Sequence, residues 1–230
     1  MNGFALKLIA VVTMLIDHVT AVLIPEGTLW YMIGRSIGRL AFPIFCFLLV
    51  EGLLHTKNVK KYLIRLGIFA LLSEIPFDLA FSNKTMNMAF LYQQNIFFTL
   101  FIGLAVIYAM SIIEKKYANN MILSNLFDSL VVIAGCAISI LLLTDYQYLG
   151  ILLIVAFYLF RGNKIVLTIA VFIVTAFLGN PLEGLGTISM LFIWLYNGKR
   201  GPQFNKYIFY AFYPVHILSI YLISLLPMFQ

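Results

Sequence analysis

Apolar residues in this chain fall into long blocks that short polar stretches separate. A helix needs about 20 mostly apolar residues to cross a bilayer, so each long block is a candidate span. The polar stretch Ser82–Asn87 ends the third block, and several later blocks are shorter than a full span. We predict nine helices, at about Phe4–Ile24, Ile37–Leu54, Tyr62–Phe81, Ile96–Ile113, Leu126–Leu143, Tyr148–Phe160, Ile165–Leu178, Leu185–Tyr196 and Tyr207–Met228.

The composition is that of a membrane protein. Of the 230 residues, 63% are hydrophobic and 10% are charged, and the mean hydropathy is +1.00. A soluble domain carries about 25% charged residues. We therefore predict an all-α, polytopic membrane protein in which residues 1–230 form a single integral membrane domain. Cys46 and Cys136 lie inside apolar blocks, and we expect them to pack in the bundle rather than to form a disulfide or a metal site.

The basic residues predict the orientation. Alternate loops carry most of the Lys and Arg residues, and the positive-inside rule assigns such loops to the cytoplasm. The amino terminus is then cytoplasmic, and the net charge of +6 is a topology signal rather than a sign of nucleic-acid binding. The basic residues on that side are Lys57, Lys60, Lys61, Arg65, Lys115, Lys116, Arg161, Lys164, Lys199, Arg200 and Lys206.

Polar residues interrupt several predicted spans. Ionisable side chains are expensive in lipid and usually functional there. With a cytoplasmic amino terminus, six of them fall between mid-membrane and the outer face, where one cavity would bring them together. These residues are His18, Arg39, Glu74, Asp78, Asn95 and His216.

Asp17 and His18 form the first such pair. An imidazole accepts a proton near neutral pH, as acyl transfer to an amine or hydroxyl requires. Neighbouring residues on a helix point about 100° apart, so Asp17 does not automatically orient His18. A histidine that only hydrogen-bonds across helices is the alternative, and the adjacent aspartate favours a functional role.

Arg35 and Arg39 are four residues apart and share one helix face. Two guanidinium groups on one face can hold a phosphate or a carboxylate. Alternatively, Arg35 reaches the lipid headgroups and Arg39 neutralises Glu74 or Asp78. We favour the headgroup interpretation for Arg35 and a site role for the deeper Arg39.

Glu74 and Asp78 also share a helix face, with Pro76 between them. Two nearby carboxylates raise the pKa of at least one of them and can act as acid or base. The proline predicts a kink that opens space beside the pair. Structural bridges to Arg39 and Arg65 are the alternative.

The last helix carries Tyr210, Tyr213 and His216 roughly along one face. An aromatic belt accounts for tyrosines near a helix end, but less well for a histidine in mid-span. At the cytoplasmic ends, Glu51, His55, Lys57 and Lys61 suit an anionic group, although ordinary positive-inside charge explains them as well. Cofactor and metal motifs such as G-x-x-x-x-G-K-[ST], C-x-x-C and H-E-x-x-H are absent from the sequence.

Several of these segments resemble the TraX family, whose namesake acetylates the amino terminus of a conjugative F-type pilin. The resemblance covers nearly the whole chain, is most specific in its long second segment and is weakest over residues 113–178. The segments are MLIDHV (Met14–Val19), GRLAFPIFCFLLVEGLLHTKNVKKYLIRL (Gly38–Leu66), SEIPFDLAF (Ser73–Phe81), QNIFFTL (Gln94–Leu100), NGKRG (Asn197–Gly201) and KYIFYAFYPVHIL (Lys206–Leu218).

The resemblance implies an acyltransferase of the bacterial cytoplasmic membrane, with several spans and acetyl-CoA as a diffusible cosubstrate. No tightly bound cofactor, metal or nucleic acid is expected. His18 would be the general base, oriented by Asp17, Glu74 or Asp78, by direct transfer or through an acetyl-His18. The expected oxyanion or acceptor-binding residues are Arg39, Asn95, Tyr213 and His216. Those expected to bind CoA are Arg35, His55, Lys57, Lys60, Lys61, Arg65, Lys199 and Arg200.

Two alternatives from other classes remain open at this stage. A small-molecule transporter also places charged residues at mid-depth, although it usually has inverted repeats, which we do not find. A non-catalytic membrane component of a conjugation or secretion apparatus is the other alternative. The acetyl acceptor stays open among a pilin-like peptide, another surface molecule such as a sugar, and a membrane lipid.

Overall fold

The computed structural model describes residues 1–81, 93–202 and 205–227 and is built from helices. The polar stretch 82–87 lies outside the described residues, as does the end of the last predicted helix at Met228. The α-helices are α1 (Gly3–Leu23), α2 (Leu29–Gly38), α3 (Ala41–His55), α4 (Val59–Phe81), α5 (Ile96–Lys116), α6 (Met121–Leu141), α7 (Gln147–Phe160), α8 (Lys164–Phe172), α9 (Pro181–Gly184), α10 (Met190–Trp194) and α11 (Lys206–Ser224). A π-helical segment (Ile173–Gly179) continues α8, and a 3₁₀ segment (Leu185–Ser189) joins α9 to α10.

Asparagine side chains begin many of these helices. The first amides of a helix have no partner within it, and a short polar side chain at the N-cap can accept a hydrogen bond from one of them. This capping sets where the helices start after each polar stretch. The asparagine caps are Asn2, Asn95, Asn120, Asn163, Asn180 and Asn205.

Five helices of the described residues are long and apolar enough to cross a membrane. They are Gly3–Leu23, Leu29–His55, Ile96–Lys116, Met121–Leu141 and Tyr207–Ser224. The protein is therefore a helical membrane protein, as predicted. The five candidate spans do not support the predicted count of nine. The apolar helices at 147–160, 164–179 and 181–194 have 10–17 residues, and α4 carries ionisable residues along its length.

The helix predicted from residue 37 begins earlier than its apolar block. Helices α2 and α3 follow one another almost without a break, so the helical segment starts at Leu29. Gly34 and Gly38 lie against α1, where an added Cβ would collide with the side chains of Thr20 and Asp17. This Gly-x-x-x-Gly spacing lets the two backbones approach closely, and Arg35 and Arg39 flank the contact.

The buried core lies around α7, which packs against α3, α5, α6 and α8. Ile151, Ile154 and Phe157 of α7 are almost completely buried. Ile154 occupies the space that a side chain at Gly103 of α5 would need. The short α7 is thus enclosed by its neighbouring helices.

The helix ends separate into two sets. Residues 1–2, 56–58, 117–120, 161–163 and 195–202 lie at one end, which we call the basic end, and residues 24–28, 93–95 and 142–146 lie at the opposite end. Backbone hydrogen bonds join the two chain regions of the basic end, from Gly3 to Lys199 (2.8 Å) and from Asn197 to Met1 (2.9 Å). At the opposite end, Gln94 pairs with residues 143 and 145. This alternation follows the order that the basic loops predicted.

Candidate functional site

Arg39 is the centre of a polar network at the opposite end of the bundle. Its side chain is 8% exposed, and it donates from Nη2 to Asp17 Oδ1 (3.1 Å) and from Nη1 to Glu183 Oε1 (2.5 Å). Nη1 also lies 3.3 Å from the Tyr146 hydroxyl, and Nε donates to the carbonyl of Arg35. A buried guanidinium needs such carboxylate partners to offset its lost hydration. Arg39 thus joins α1, α2, the α6–α7 loop and α9.

Asp17 is shared by two arginines. Arg35 Nη1 donates to Asp17 Oδ2 over 2.8 Å, and Arg39 occupies the other carboxylate oxygen. The alternative that Arg39 neutralises Glu74 or Asp78 is therefore wrong, because Asp17 and Glu183 take that role. The carboxylate of Asp17 is directed to the arginines rather than to its neighbour His18, as the 100° separation of adjacent helical residues allows.

The loop between α6 and α7 brings Asp145 and Tyr146 to this network. Leu143, Tyr146 and Gln147 have positive φ values of 50°, 60° and 42°. Such conformations cost free energy for residues other than glycine, and they persist where the surroundings enforce them. Here the enforcing contacts are the backbone pairing with Gln94, a hydrogen bond from Thr99 to the Asp145 carbonyl, and the stacking of Tyr146 on Phe42.

Asp145 is a further carboxyl group beside Arg39. It lies in the loop outside the helices, where burial raises its pKa to about 6 although the Arg39 charge opposes the shift. Glu183 and Asp17 add to the rise through their negative charges. The network therefore contains a group that titrates just below neutral pH.

His18 and His216 meet edge to edge although they are 198 residues apart in the chain. The distance from His18 Nδ1 to His216 Nε2 is 2.7 Å, and the two rings are nearly coplanar, at 5°. Tyr213 and Phe81 pack their rings against His18 in T-shaped contacts. Helices α1 and α11, which pack together, bring the two histidines to the same depth.

The hydrogen bonds of this pair fix the positions of its protons. His216 Nδ1 lies 2.7 Å from the carbonyl oxygen of Phe212, and a carbonyl can only accept. His216 Nδ1 must then carry a proton, which in the neutral ring leaves Nε2 as the acceptor. His18 must donate from Nδ1, so neutral His18 presents a lone pair at Nε2, and that nitrogen has no hydrogen-bond partner among the described residues.

Glu74 and Asn95 form a second buried group. Glu74 Oε2 accepts hydrogen bonds from the side-chain and backbone nitrogens of Asn95, and Asn95 also donates to the carbonyl of Ala70 (2.8 Å). Glu74 is 1% exposed, and its Oε1 atom has no hydrogen-bond partner among the described residues. A carboxylate at the first turn of α5 is favourably placed relative to the helix dipole.

The residues predicted to share one cavity thus lie in three groups, which are the Arg39 network, the His18–His216 pair and the Glu74–Asn95 pair. Tyr213 is 3% exposed, contacts both histidines through its ring and interacts electrostatically with Glu74, Asp145 and Asp17. Asp78 is half-buried, and the described contacts do not join it to His18 or Arg39. Pro76 lies within α4, which continues through it to Phe81.

The basic residues predicted to bind CoA separate into two sets. His55, Lys57, Lys60, Lys61, Lys199 and Arg200 are exposed at the basic end. Arg65 is partly buried there and interacts with Tyr62 and Tyr210. Arg35 lies apart from these residues, because it pairs with Asp17 near the other end of the α2–α3 segment. At a rise of about 1.5 Å per residue, this places Arg35 roughly 30 Å from His55.

Tyr196 and Glu51 join helices at the basic end. The Tyr196 hydroxyl donates to Glu51 Oε2 over 3.0 Å, and His55 lies 3.9 Å from the same carboxylate oxygen. Burial and the bond to Glu51 raise the pKa of Tyr196 to about 12. Glu51 thus links α3 to the chain after α10 at the basic end, and its role in binding an anion stays a prediction.

A small cavity of about 20 Å³ lies inside the Arg39 network. Its polar lining comes from Arg39, Tyr146, Thr175 and Glu183, and Phe42 is among its apolar residues. This volume is comparable to that of one water molecule. The network is therefore closed around its ion pairs, with room for a hydrogen-bonded water.

Sequence reasoning missed three polar contributors to the site, since it did not predict Glu183, Asp145 or Tyr146 as site residues. Their partners depend on contacts between distant helices, which no local pattern reveals. Gly34 and Gly38 did carry a signal, since Gly-x-x-x-Gly in an apolar helix indicates a close helix contact.

These features define a class of protein, a helical membrane protein with a buried network of ionisable residues at one end of its bundle. The sequence profile of the TraX protein family matches residues 2–224. The chain belongs to the TraX family, which confirms the resemblance seen in its sequence. A probable fimbrial assembly protein FimC, serogroup H1, of Dichelobacter nodosus is 30% identical over 231 residues, which cover 94% of this chain and 93% of the relative. No solved structure matches the chain.

Proposed function

We propose that this protein is a membrane acetyltransferase that moves an acetyl group from acetyl-CoA to an amine or hydroxyl, with His18 as the general base. The observation that carries the proposal is the chain of hydrogen bonds from His18 through His216 to the carbonyl of Phe212. It leaves the lone pair of a neutral imidazole free at His18 Nε2. A histidine held only for packing has no need of an oriented, unpartnered nitrogen.

The transfer follows from this arrangement. The acceptor nitrogen or oxygen attacks the thioester carbonyl of acetyl-CoA while His18 Nε2 removes its proton. The positive charge that develops on His18 is stabilised through its Nδ1–H bond to His216. As the tetrahedral intermediate collapses, the C–S bond breaks, and the proton on His18 Nε2 neutralises the departing CoA thiolate. Direct transfer of this kind needs no acetyl-enzyme.

The two arginines near His18 supply the electrostatic part of the mechanism. Arg35 and Arg39 both act on His18 through their charges. The field of these fixed charges favours the oxyanion of the intermediate, because it needs no reorganisation when the oxyanion forms. Asp17 holds both guanidinium groups in place and is a positioning residue in this scheme.

The two ends of the bundle have separate roles in the proposal. Acetyl-CoA enters at the basic end, taken as cytoplasmic in a bacterial inner membrane crossed several times. Its phosphates meet exposed basic residues such as Lys57, Lys61 and Arg200. The acceptor reaches His18 from the opposite end. The name of the relative from Dichelobacter nodosus links that protein to fimbrial assembly, which favours a pilin-like peptide as acceptor.

A test uses the purified protein with acetyl-CoA labelled in its acetyl group, and measures release of the CoA thiol and transfer of label to a pilin-like peptide. We expect His18→Ala to slow both by at least about 100-fold, the usual contribution of a general base. Thr13→Ala is the matched control on α1, because the Thr13 hydroxyl donates to carbonyls of its own helix and to no other group among the described residues. A folded His18→Ala protein that transfers acetyl groups at the normal rate would refute the assignment.

A non-catalytic component of a pilus assembly apparatus is the second candidate, supported by the name of the same relative. It predicts that wild-type protein releases no CoA and labels no acceptor, while still associating with pilin. A transporter predicts flux of a solute without dependence on CoA. The labelling experiment therefore separates all three.

A further inference from the structure

Arg35 and Arg39 hold the same carboxylate but differ in how many of their own donors are used. A guanidinium has five N–H donors. Arg39 uses all three of its nitrogens, toward Arg35, Asp17, Glu183 and Tyr146. The guanidinium of Arg35 donates one hydrogen bond among the described residues, from Nη1 to Asp17. Most of its donors are therefore uncommitted.

The charges are also unequally compensated. Arg39 lies between two carboxylates, those of Asp17 and Glu183. Arg35 has only its share of Asp17, and its side chain is 24% exposed where that of Arg39 is 8% exposed. The part of the network nearest the surface thus carries a positive charge that is incompletely neutralised.

Arg35 is nevertheless held in place. Asp17 fixes one edge of its guanidinium, and Gly34 and Gly38 on either side of it in α2 let that helix contact α1 directly. A positioned guanidinium with free N–H groups suits a carboxylate or phosphate, whose oxygens match its fork. Pre-organisation of this kind lowers the cost of binding.

The position of Arg35 relates it to His18. Asp17, its partner, directly precedes His18 in α1, and the charge of Arg35 acts on the His18 ring. We propose that Arg35 binds an oxyanion, a phosphate or carboxylate, that belongs to the acetyl acceptor and lies close to its reacting amine or hydroxyl. This inference rests on the proposed function and narrows the acceptor to molecules that carry such an anion beside the group that is acetylated.

A binding experiment tests the site without catalysis. The full chain in maltoside micelles is treated with phenylglyoxal, an arginine reagent, and modification of each arginine is followed by mass spectrometry. Inorganic phosphate or acetate should slow modification of Arg35 several-fold and leave Arg161, at the basic end, unchanged. His18→Ala should retain this protection. If neither anion protects Arg35, or if both protect Arg161 equally, the site does not exist.

A second experiment links the site to the reaction through matched acceptors. Phosphoethanolamine is compared with ethanolamine, and β-alanine with propylamine, so that each pair differs in its anion. We expect kcat/KM to be about 10- to 100-fold higher for the anionic member of at least one pair, the range for a hydrogen bond to a charged group. The pair that shows the preference identifies phosphate or carboxylate as the anion.

Variants of Arg35 complete the test. Arg35→Gln should bring the ratio of the two rates close to one. Arg35→Lys, which keeps the charge beside Asp17 but loses the fork, should give an intermediate ratio. Lys115→Gln, a lost charge at the basic end, should leave the ratio unchanged. If the wild type acetylates the anionic and the uncharged member of each pair at equal rates, the anion site is refuted and the acetyltransferase activity is not. If no CoA is released but anions still protect Arg35, the acetyltransferase activity alone is refuted.

Discussion

The donors and acceptors of the two histidines have a fixed order, because His216 donates a hydrogen bond to a backbone carbonyl. The Phe212 oxygen requires a proton on His216 Nδ1, so in the neutral ring His216 Nε2 must accept. His18 Nδ1, 2.7 Å away, must then be the donor. His216 was expected at the sequence level to bind the oxyanion or the acceptor. Its position supports a different role in our proposal, that of orienting His18.

His216→Ala should lower kcat by about 10- to 100-fold, because it removes the acceptor that orients His18 and stabilises its charged form. Ser219→Ala is the matched control, since Ser219 bonds to the helix backbone in the same way on an exposed face of α11. Nitrogen-15 NMR of labelled histidine should detect the Nδ1–H form of His18 in the wild type and its loss in the variant. A wild-type spectrum with the proton of His18 on Nε2 would contradict the scheme.

Asp145 predicts a dependence of stability on pH. Its pKa is raised from 3.8 to about 6, so the folded state favours the protonated carboxyl. This contribution is complete below about pH 4 and is lost as the pH rises toward 6. Asp145→Asn should therefore stabilise the protein at pH 7.5, by on the order of 1 to 3 kcal/mol, and have little effect near pH 4.

Thermal unfolding in micelles at pH 4, 6 and 7.5 measures this effect. Glu26→Gln is the control, since Glu26 is an exposed carboxylate near the same end. A gain in stability that is equal at all three pH values would show that packing, and not ionisation, is responsible.

Contact between α1 and α2 determines whether the arginines reach Asp17. Gly38 lies where an added Cβ would overlap the Asp17 side chain. The glycine therefore serves the site as well as the packing. At this scale the sequence predicted the long helices well, since the length of an apolar block is a local signal. It could not predict the early start at Leu29, because α2 mixes Gly, Arg and Ser with its apolar residues and is stabilised by tertiary contact.

Gly38→Ala should destabilise the protein by roughly 1–3 kcal/mol, the usual cost of overpacking, and should reduce acetyl transfer by moving Asp17. Gly67→Ala is the control, because its Cβ would lie 3.5 Å from Phe101, an ordinary contact distance. Differential scanning fluorimetry and the labelled acetyl-CoA assay measure the two effects. Equal losses in both variants would argue against a special role for Gly38.

Across the whole molecule, the arrangement of charges was more predictable than their partners. The charges of the loops predicted which helix ends lie at the same end of the bundle. The contacts between Gly3 and Lys199 and between Arg39 and Glu183 agree with that prediction. Pairings such as Arg39 with Glu183, 144 residues apart, could not be read from one sequence. Many polar residues at the same depth are equally plausible partners until the packing of the helices is known.

The orientation can be tested with single cysteines in a chain lacking Cys46 and Cys136. We expect Glu26→Cys to react with a membrane-impermeant maleimide on intact spheroplasts, and Lys57→Cys to react only after permeabilisation. The positive-inside rule is the physical reason. The opposite labelling pattern would invert the proposed path of acetyl-CoA.

The separation of the two histidines has a consequence for biosynthesis. At about 5–20 residues per second, the 198 residues between His18 and His216 take roughly 10 to 40 s to synthesise. Through most of that interval the nascent chain contains Asp17, Arg35 and Arg39 but lacks His216 and also Glu183, the second carboxylate partner of Arg39. In our proposal, full activity therefore requires the last helix, and chains truncated before α11 should lose at least as much activity as His216→Ala.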